Sequence, residues 1–193
     1  MIEAHDKGER RMAQINIVMV FDAQAVLSAG SPSSSSTQPT GLAHPPSPPY
    51  FAYMITEQQY LAQPVQNAGN ATPNLIINAT VGDTVNWYAV TLSGDQPTYC
   101  IPYNIAQFSG STVMTTPIGL TAQPTVPVPP PQQSTSNPTW TATQQYQYFM
   151  TSNVLSPGTE GYQVWFQVVQ MGTSGSLSTL GYYYWDPSVQ VLG

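Results

Sequence analysis

Apolar residues that recur at every second position, in short runs closed by turn residues, constrain this chain more than any other feature. Ile15, Ile17, Met19 and Phe21 share one side of such a run, because successive side chains of an extended strand point to opposite faces. The intervening Asn16, Val18 and Val20 are mostly apolar as well, which predicts a strand covered on both sides and central in its sheet. Residues 75–81 and 85–89 repeat the alternation on either side of Gly82-Asp83 and read as a hairpin. The cleanest alternation is at 140–150, with Trp140, Ala142, Tyr146, Tyr148 and Met150 on one face and Thr141, Thr143, Gln145 and Gln147 on the other. That pattern predicts a half-buried strand with one wet side. Residues 50–56, 98–106, 162–171 and 180–186 bring the strand candidates to at least seven. In the last of these, Tyr182 and Tyr184 face one way and Tyr183 and Trp185 the other.

One short helix is expected at 22–30, "DAQAVLSAG", with Asp22 as its N-cap and Gly30 as its C-cap. Residues 31–49 hold too many prolines for a strand ladder and read as a long surface loop. "PTVPVPPP", 124–131, lacks backbone donors and reads as extended, polyproline-like surface chain. Many strands, one helix and no alternation of strand with helix predict an all-β fold. The expected form is an antiparallel, jelly-roll-like β-sandwich with the helix after the first strand and long proline-rich loops. A chain of 193 residues suits one domain. The composition changes at Met12, so 1–11 is read as a disordered extension or an upstream start, and 12–193 as a single sandwich domain.

The three basic residues, Lys7, Arg10 and Arg11, all precede Met12, and beyond it the only fixed charges are on Asp22, Glu57, Asp83, Asp95, Glu160 and Asp186. A body without cations cannot neutralise phosphates, so nucleic acid is not an expected partner. Docking on an anionic membrane through a basic patch is excluded on the same ground. Charged residues make up only 6% of the chain, which weakens the repulsion that keeps copies apart. The apolar run at 15–21 is too short for a signal peptide and ends at Asp22 without a small-residue cleavage site. No run approaches the ~20 apolar residues that span a bilayer. A cytoplasmic protein is therefore expected.

Chemistry finds little to work with. The histidines are His5 and His44 alone, and none follows Cys100, the single cysteine. A type 1 copper site and a four-ligand zinc site both lack donors, and no intrachain disulfide can form. Cys100 reads as a buried, inert thiol. Nucleophilic catalysis would have to rely on His44, and glycoside cleavage on acids scattered along the sequence. Asp83 and Asp95 each adjoin a glycine and are accounted for by turn chemistry. "GTSGS", 172–176, lacks the spacing of a nucleophile elbow and reads as a hairpin turn. Asn70-Ala71-Thr72 and Asn78-Ala79-Thr80 match the glycosylation pattern, which has no consequence in a chain without a secretory signal. No cofactor or metal site is expected.

Taken together, several of these segments resemble a known family. "INIVMVFDAQAVL", a proline- and serine-rich loop with "QPTG", "YFAYMIT", "NATVGDTVNWYAVTLSG" and "GYYYWDPSVQV" look like the PixA/AidA family of bacterial inclusion-body proteins. The likeness runs from Met12 to the end, and "VGDTVNW" and "YYYWDP" are its most specific parts. The proline content of 122–138 and the eleven-residue N-terminal extension depart from it. The resemblance implies a β-sandwich made in the bacterial cytoplasm, gathered into inclusions in some members, under quorum-sensing or stationary-phase control. It supplies no catalytic residue. The first reading is a non-enzymatic protein that self-associates at least as a dimer and acts in host or community interaction. The second is a carbohydrate-binding module with a glycan as ligand. In both, the candidate surface residues are Trp87, Trp140, Trp165 and Trp185. An enzyme built around His44 or convergent acids is the third.

Overall fold

The computed structural model describes residues 11–43, 45–62, 68–94, 97–128 and 140–193. The extension at 1–11, except Arg11, lies outside the described residues, as do His44 and Asp95. In chain order the elements are β1 (Gln14–Asp22), α1 (Ala23–Ala29), β2 (Thr40–Gly41), β3 (Ala52–Thr56), β4 (Leu75–Ile77), β5 (Thr84–Leu92) and β6 (Thr98–Gly110). They continue with β7 (Ile118–Ala122), β8 (Thr125–Val128), β9 (Thr141–Gln144), β10 (Gln147–Asn153), β11 (Gly158–Met171), β12 (Leu177–Trp185) and β13 (Ser188–Val191).

β1 takes the central place that its two apolar faces predict. It lies between β3 and β5 in a five-stranded sheet of order β3-β1-β5-β10-β7, with Ile15, Ile17, Met19 and Phe21 buried. The Asp22 carboxylate caps α1 by accepting from the Ala25 amide at 3.0 Å. Gly30 follows the helix in an extended conformation (φ −172°), not the left-handed one expected of a C-cap glycine.

The second sheet is organised by β11. β6 pairs along one edge of it, while β12 and β13 share the other, divided by Asp186-Pro187. β2 and β4 extend this sheet, giving the order β2-β12-β11-β13-β4. The two sheets bury their facing residues against each other as an all-β sandwich. Phe21 meets Phe166 at 4.8 Å and Trp185 edge-on at 5.9 Å, and Trp87 meets Tyr162 at 5.5 Å between ring centroids. Each large side chain enclosed here stabilises the fold by ~1.5–3 kcal/mol. The last aromatic strand behaves as its alternation predicts, with Tyr183 and Trp185 buried and Tyr182 and Tyr184 half-buried on the opposite face.

Four expectations are corrected. The sheets are mixed, since β1 runs parallel to β5, β12 to β2 and β13 to β4. Residues 75–92 do not form a hairpin, because β4 belongs to one sheet and β5 to the other. All three residues of β4 are buried, and the chain then crosses between layers through Gly82 at φ +93°, a left-handed conformation that suits glycine. The alternation at 140–150 is broken at 145–146: β9 pairs with β8 in a separate two-stranded ribbon, and only β10 joins the large sheet. The proline-rich stretches also carry strand, with β8 inside 124–131 and β2 inside 31–49, while 129–139 lie outside the described residues. Prolines at ribbon positions that need no donor are compatible with pairing.

Candidate functional site

Three acidic side chains work as structural staples. Asp83 is 2% exposed and accepts from the amides of Ala13 and Thr80, each at 2.8 Å, tying the chain entering β1 to the turn before β5. Glu160 is equally buried and accepts from Val113 at 2.6 Å and Met114 at 2.9 Å through one oxygen. Glu57 accepts from the Asn16 amide at 3.1 Å and the Asn16 side chain at 2.6 Å. Burial works to raise the pKa of Glu57, but hydrogen bonds from its own backbone, Asn16 and Thr56 outweigh it and hold the carboxyl below its ordinary value. With no cations after Arg11, backbone amides supply what lysine or arginine would otherwise provide.

The four tryptophans do not meet on one surface. Trp87 and Trp185 are core residues, 1% and 0% exposed, and Trp87 donates to the Ser152 hydroxyl at 3.1 Å. Their assignment to a solvent-facing surface is corrected: both lie on the inward parity of strands that face the opposite sheet. Trp165 is half-buried on the outer side of β11, edge-on to Tyr103 at 6.3 Å. Trp140 is 60% exposed just before β9.

A different apolar surface is present on the outer face of the five-stranded sheet. Val18 on β1 lies beside Ile55 on β3 and Tyr88 on β5. Tyr88 stacks on Phe149 of β10 at 5.2 Å, and Phe149 lies beside Leu120 of β7. Ile55, Val90, Leu92, Ile118 and Leu120 are all among the exposed large apolar residues. The sequence signal for this face was present in the outward parity of β1 and β5, "NVV" at 16, 18 and 20 and "YVL" at 88, 90 and 92. Nearby, Tyr99, Ile101, Tyr146 and Tyr148 line a groove of about 380 Å³ between β6 and the end of β10.

Cys100 is 3% exposed, and its thiol is pushed up to about 12, chiefly by burial, with the Asp22 charge adding and the Thr91 hydroxyl opposing. Among the described residues no group of three His, Cys, Asp or Glu side chains could hold a metal ion. No described helix is long and apolar enough to cross a membrane.

Comparison with known proteins follows the same lines. The family model for PixA, inclusion body protein, matches residues 13–191. A crystal structure of an inclusion body protein (PixA) from Burkholderia cenocepacia J2315 superposes with a TM-score of 0.70 at 22% sequence identity, covering 95% of this chain and 98% of that one. No curated protein matches the sequence.

Proposed function

Because the chain belongs to the PixA family of inclusion body proteins, we propose that it is a non-enzymatic protein that acts by self-association, at least as a dimer, and gathers into inclusions. The observation that carries this reading is the outer face of the five-stranded sheet, where Val18, Ile55, Tyr88, Val90, Leu120 and Phe149 form a continuous apolar surface across the strands. Contiguous exposed apolar patches mark interaction surfaces. The occupant is a second copy of the chain. The Glu57 carboxylate that borders this face is tied to Asn16 and acts on Tyr88; the rest of the patch is apolar, and two such patches are complementary to each other about a two-fold axis. The cytoplasm as site of synthesis, quorum-sensing or stationary-phase control, and a role in host or community interaction complete the proposal on the strength of the family.

Sedimentation velocity across a wide concentration range tests it. The wild-type chain is expected to grow in size with concentration, and the double variant Val90→Lys, Leu120→Lys to remain small, because each lysine would have to be desolvated against another copy. A wild-type protein that stays monomeric throughout, or a double variant with an unchanged profile, refutes the reading. The groove lined by Tyr99, Tyr146 and Tyr148 favours carbohydrate binding as a second reading, since exposed rings among neutral polar groups suit stacking on sugar faces.

A further inference from the structure

A two-fold contact is closed once two copies meet, so a sheet face used in that way yields dimers, and growth into inclusions needs a second, heterologous contact. Such a contact, which presupposes the self-association reading, requires a groove on one copy and a fitting segment on the next. The groove between β6 and β10 has a volume of about 380 Å³, and its walls include Tyr99, Ile101, Pro102, Tyr146, Gln147 and Tyr148. Tyr99, Ile101, Tyr146 and Tyr148 are all exposed. Tyr148 is fixed by β7: its ring lies over Gly119, where a Cβ would fall 2.7 Å from the hydroxyl oxygen. Below them, the Thr91 hydroxyl is already engaged with the backbone of Cys100. No lining residue carries a charge, and among the described residues neither the three tyrosine hydroxyls nor the Gln147 side-chain amide is in a hydrogen bond. The walls therefore offer rings and open donors.

A segment with the matching chemistry is in the chain's own sequence. β8 exposes Pro127, and the sequence continues from Val128 into Pro129-Pro130-Pro131 without a charge. In polyproline II geometry, with three residues per turn, Pro127 and Pro130 fall on one side, and the backbone carbonyls have no internal donors. Grooves lined with aromatic rings are the receptors that such segments use, because a chain already extended loses little entropy on docking. The groove of the same copy is poorly placed to receive the run. Gln145, which leads into Tyr146 of the groove, donates to the Pro124 carbonyl at 3.1 Å, at the near end of the β8-β9 ribbon. The run leaves the far end, at Val128 and Thr141, about 10 Å along the strands, and would have to double back beside its own ribbon. We propose that the groove of one copy binds the proline run 127–131 of a second copy, the tyrosine rings packing on the prolines and the open donors meeting its carbonyls. Each face-to-face dimer then presents two grooves and two runs, so that contacts weak singly hold in number.

The test titrates the dilute full chain with the synthetic peptide "PTVPVPPPQQ", residues 124–133, and follows the backbone amides of Ile101, Tyr146 and Gln147 by NMR. Saturable shifts are expected, with a Kd of about 1 mM or below, and a peptide with alanine at the positions of Pro127 and Pro130 should bind at least about tenfold more weakly. Tyr146→Ala, at a residue 81% exposed, leaves the core untouched and should weaken binding of the unaltered peptide by about tenfold. In sedimentation velocity at high concentration, Tyr146→Ala and the double variant Pro129→Ser, Pro130→Ser should stop at the dimer where the wild type grows further. Absence of any shift would overturn the proposal and leave the groove to the carbohydrate reading. Equal binding of the alanine peptide, or growth of both variants like the wild type, would overturn it as well. A wild type that binds the peptide yet stops at the dimer overturns the groove contact and leaves the sheet face standing, so the two readings fail separately.

Discussion

Replacing Asp83 with alanine isolates the staple between the entry to β1 and the turn before β5. The carboxylate is 2% exposed and accepts from Ala13 and Thr80, each at 2.8 Å. Removing it leaves two part-buried amides without their acceptor, at a cost of about 1–2.5 kcal/mol each. A total of ~2–5 kcal/mol is a large part of the ~5–15 kcal/mol that a folded domain has. At this chain length each kcal/mol shifts the midpoint by about 2–4 °C, so a fall in Tm of ~4–20 °C is expected. Asp83→Asn should lie between, because one amide oxygen can serve one donor while its NH2 group opposes the other. Guanidinium unfolding and thermal melts measure both variants. Hydrogen exchange separates the mechanism from general weakening: the Ala13 amide should lose protection in Asp83→Ala before the amides of β11 do. A variant within about 0.5 kcal/mol of wild type, the ordinary range for an unimportant surface change, would refute the staple.

Two further outcomes follow from burial. Cys100, with its thiol pushed up to about 12 and only 3% exposed, should resist thiol reagents at pH 8 in the native state and react fully in denaturant; rapid labelling of folded protein would contradict the burial. Trp87→Ala should cost about 3–5 kcal/mol through a core cavity and a stranded Ser152 hydroxyl, whereas Trp140→Ala should leave the denaturation midpoint unchanged. Equal effects of the two substitutions would reverse the assignment of core and surface.

The strands legible in the sequence are those whose alternation reflects burial between the sheets. β1, β11 and β12 show it plainly, and their inward residues are buried as the period predicts. Where alternation misleads, local pattern is uncoupled from tertiary surroundings. Tyr146 and Trp140 keep the parity of Met150 but are 81% and 60% exposed, because the chain leaves the sheet at 145–146 to pair β9 with β8. The pairing of β4 with β13 instead of β5 depends on contacts more than a hundred residues apart, including the Ser188 amide donating to Asn74 Oδ1 at 2.9 Å. No local signal encodes that. The same reason hides the cavity of about 350 Å³ beside Glu160 and Tyr162: its other walls come from Gln107, Thr112, 114–117 and Leu155, and an acid between Thr159 and Gly161 gives no sign of them.

The lack of cations makes the strand edges a hazard, since exposed edges are usually blunted with lysine. This chain has none after Lys7 and uses other devices. The free side of β3 is capped by a strap at 70–72: Met54 donates to the Thr72 carbonyl at 2.9 Å, and the Asn70 side chain both accepts from the Thr56 amide and donates to its carbonyl. The outer side of β4 is met by the Ala62 amide, which donates to the Ile76 carbonyl at 3.0 Å. β6, the longest edge strand, carries Pro102 opposite Phe166, and its ladder with β11 is broken by two register shifts. A proline inside a strand removes a donor, and bulges twist an edge out of register with a would-be partner. β7 is short and bracketed by Pro117 and Pro124. With these edges blunted and the outer face of the five-stranded sheet left apolar, the self-association proposed above would run through side chains on a face and away from open-ended strand addition. Assembly by that route can be dense yet remain reversible, because it requires no backbone hydrogen bond to be exchanged between chains.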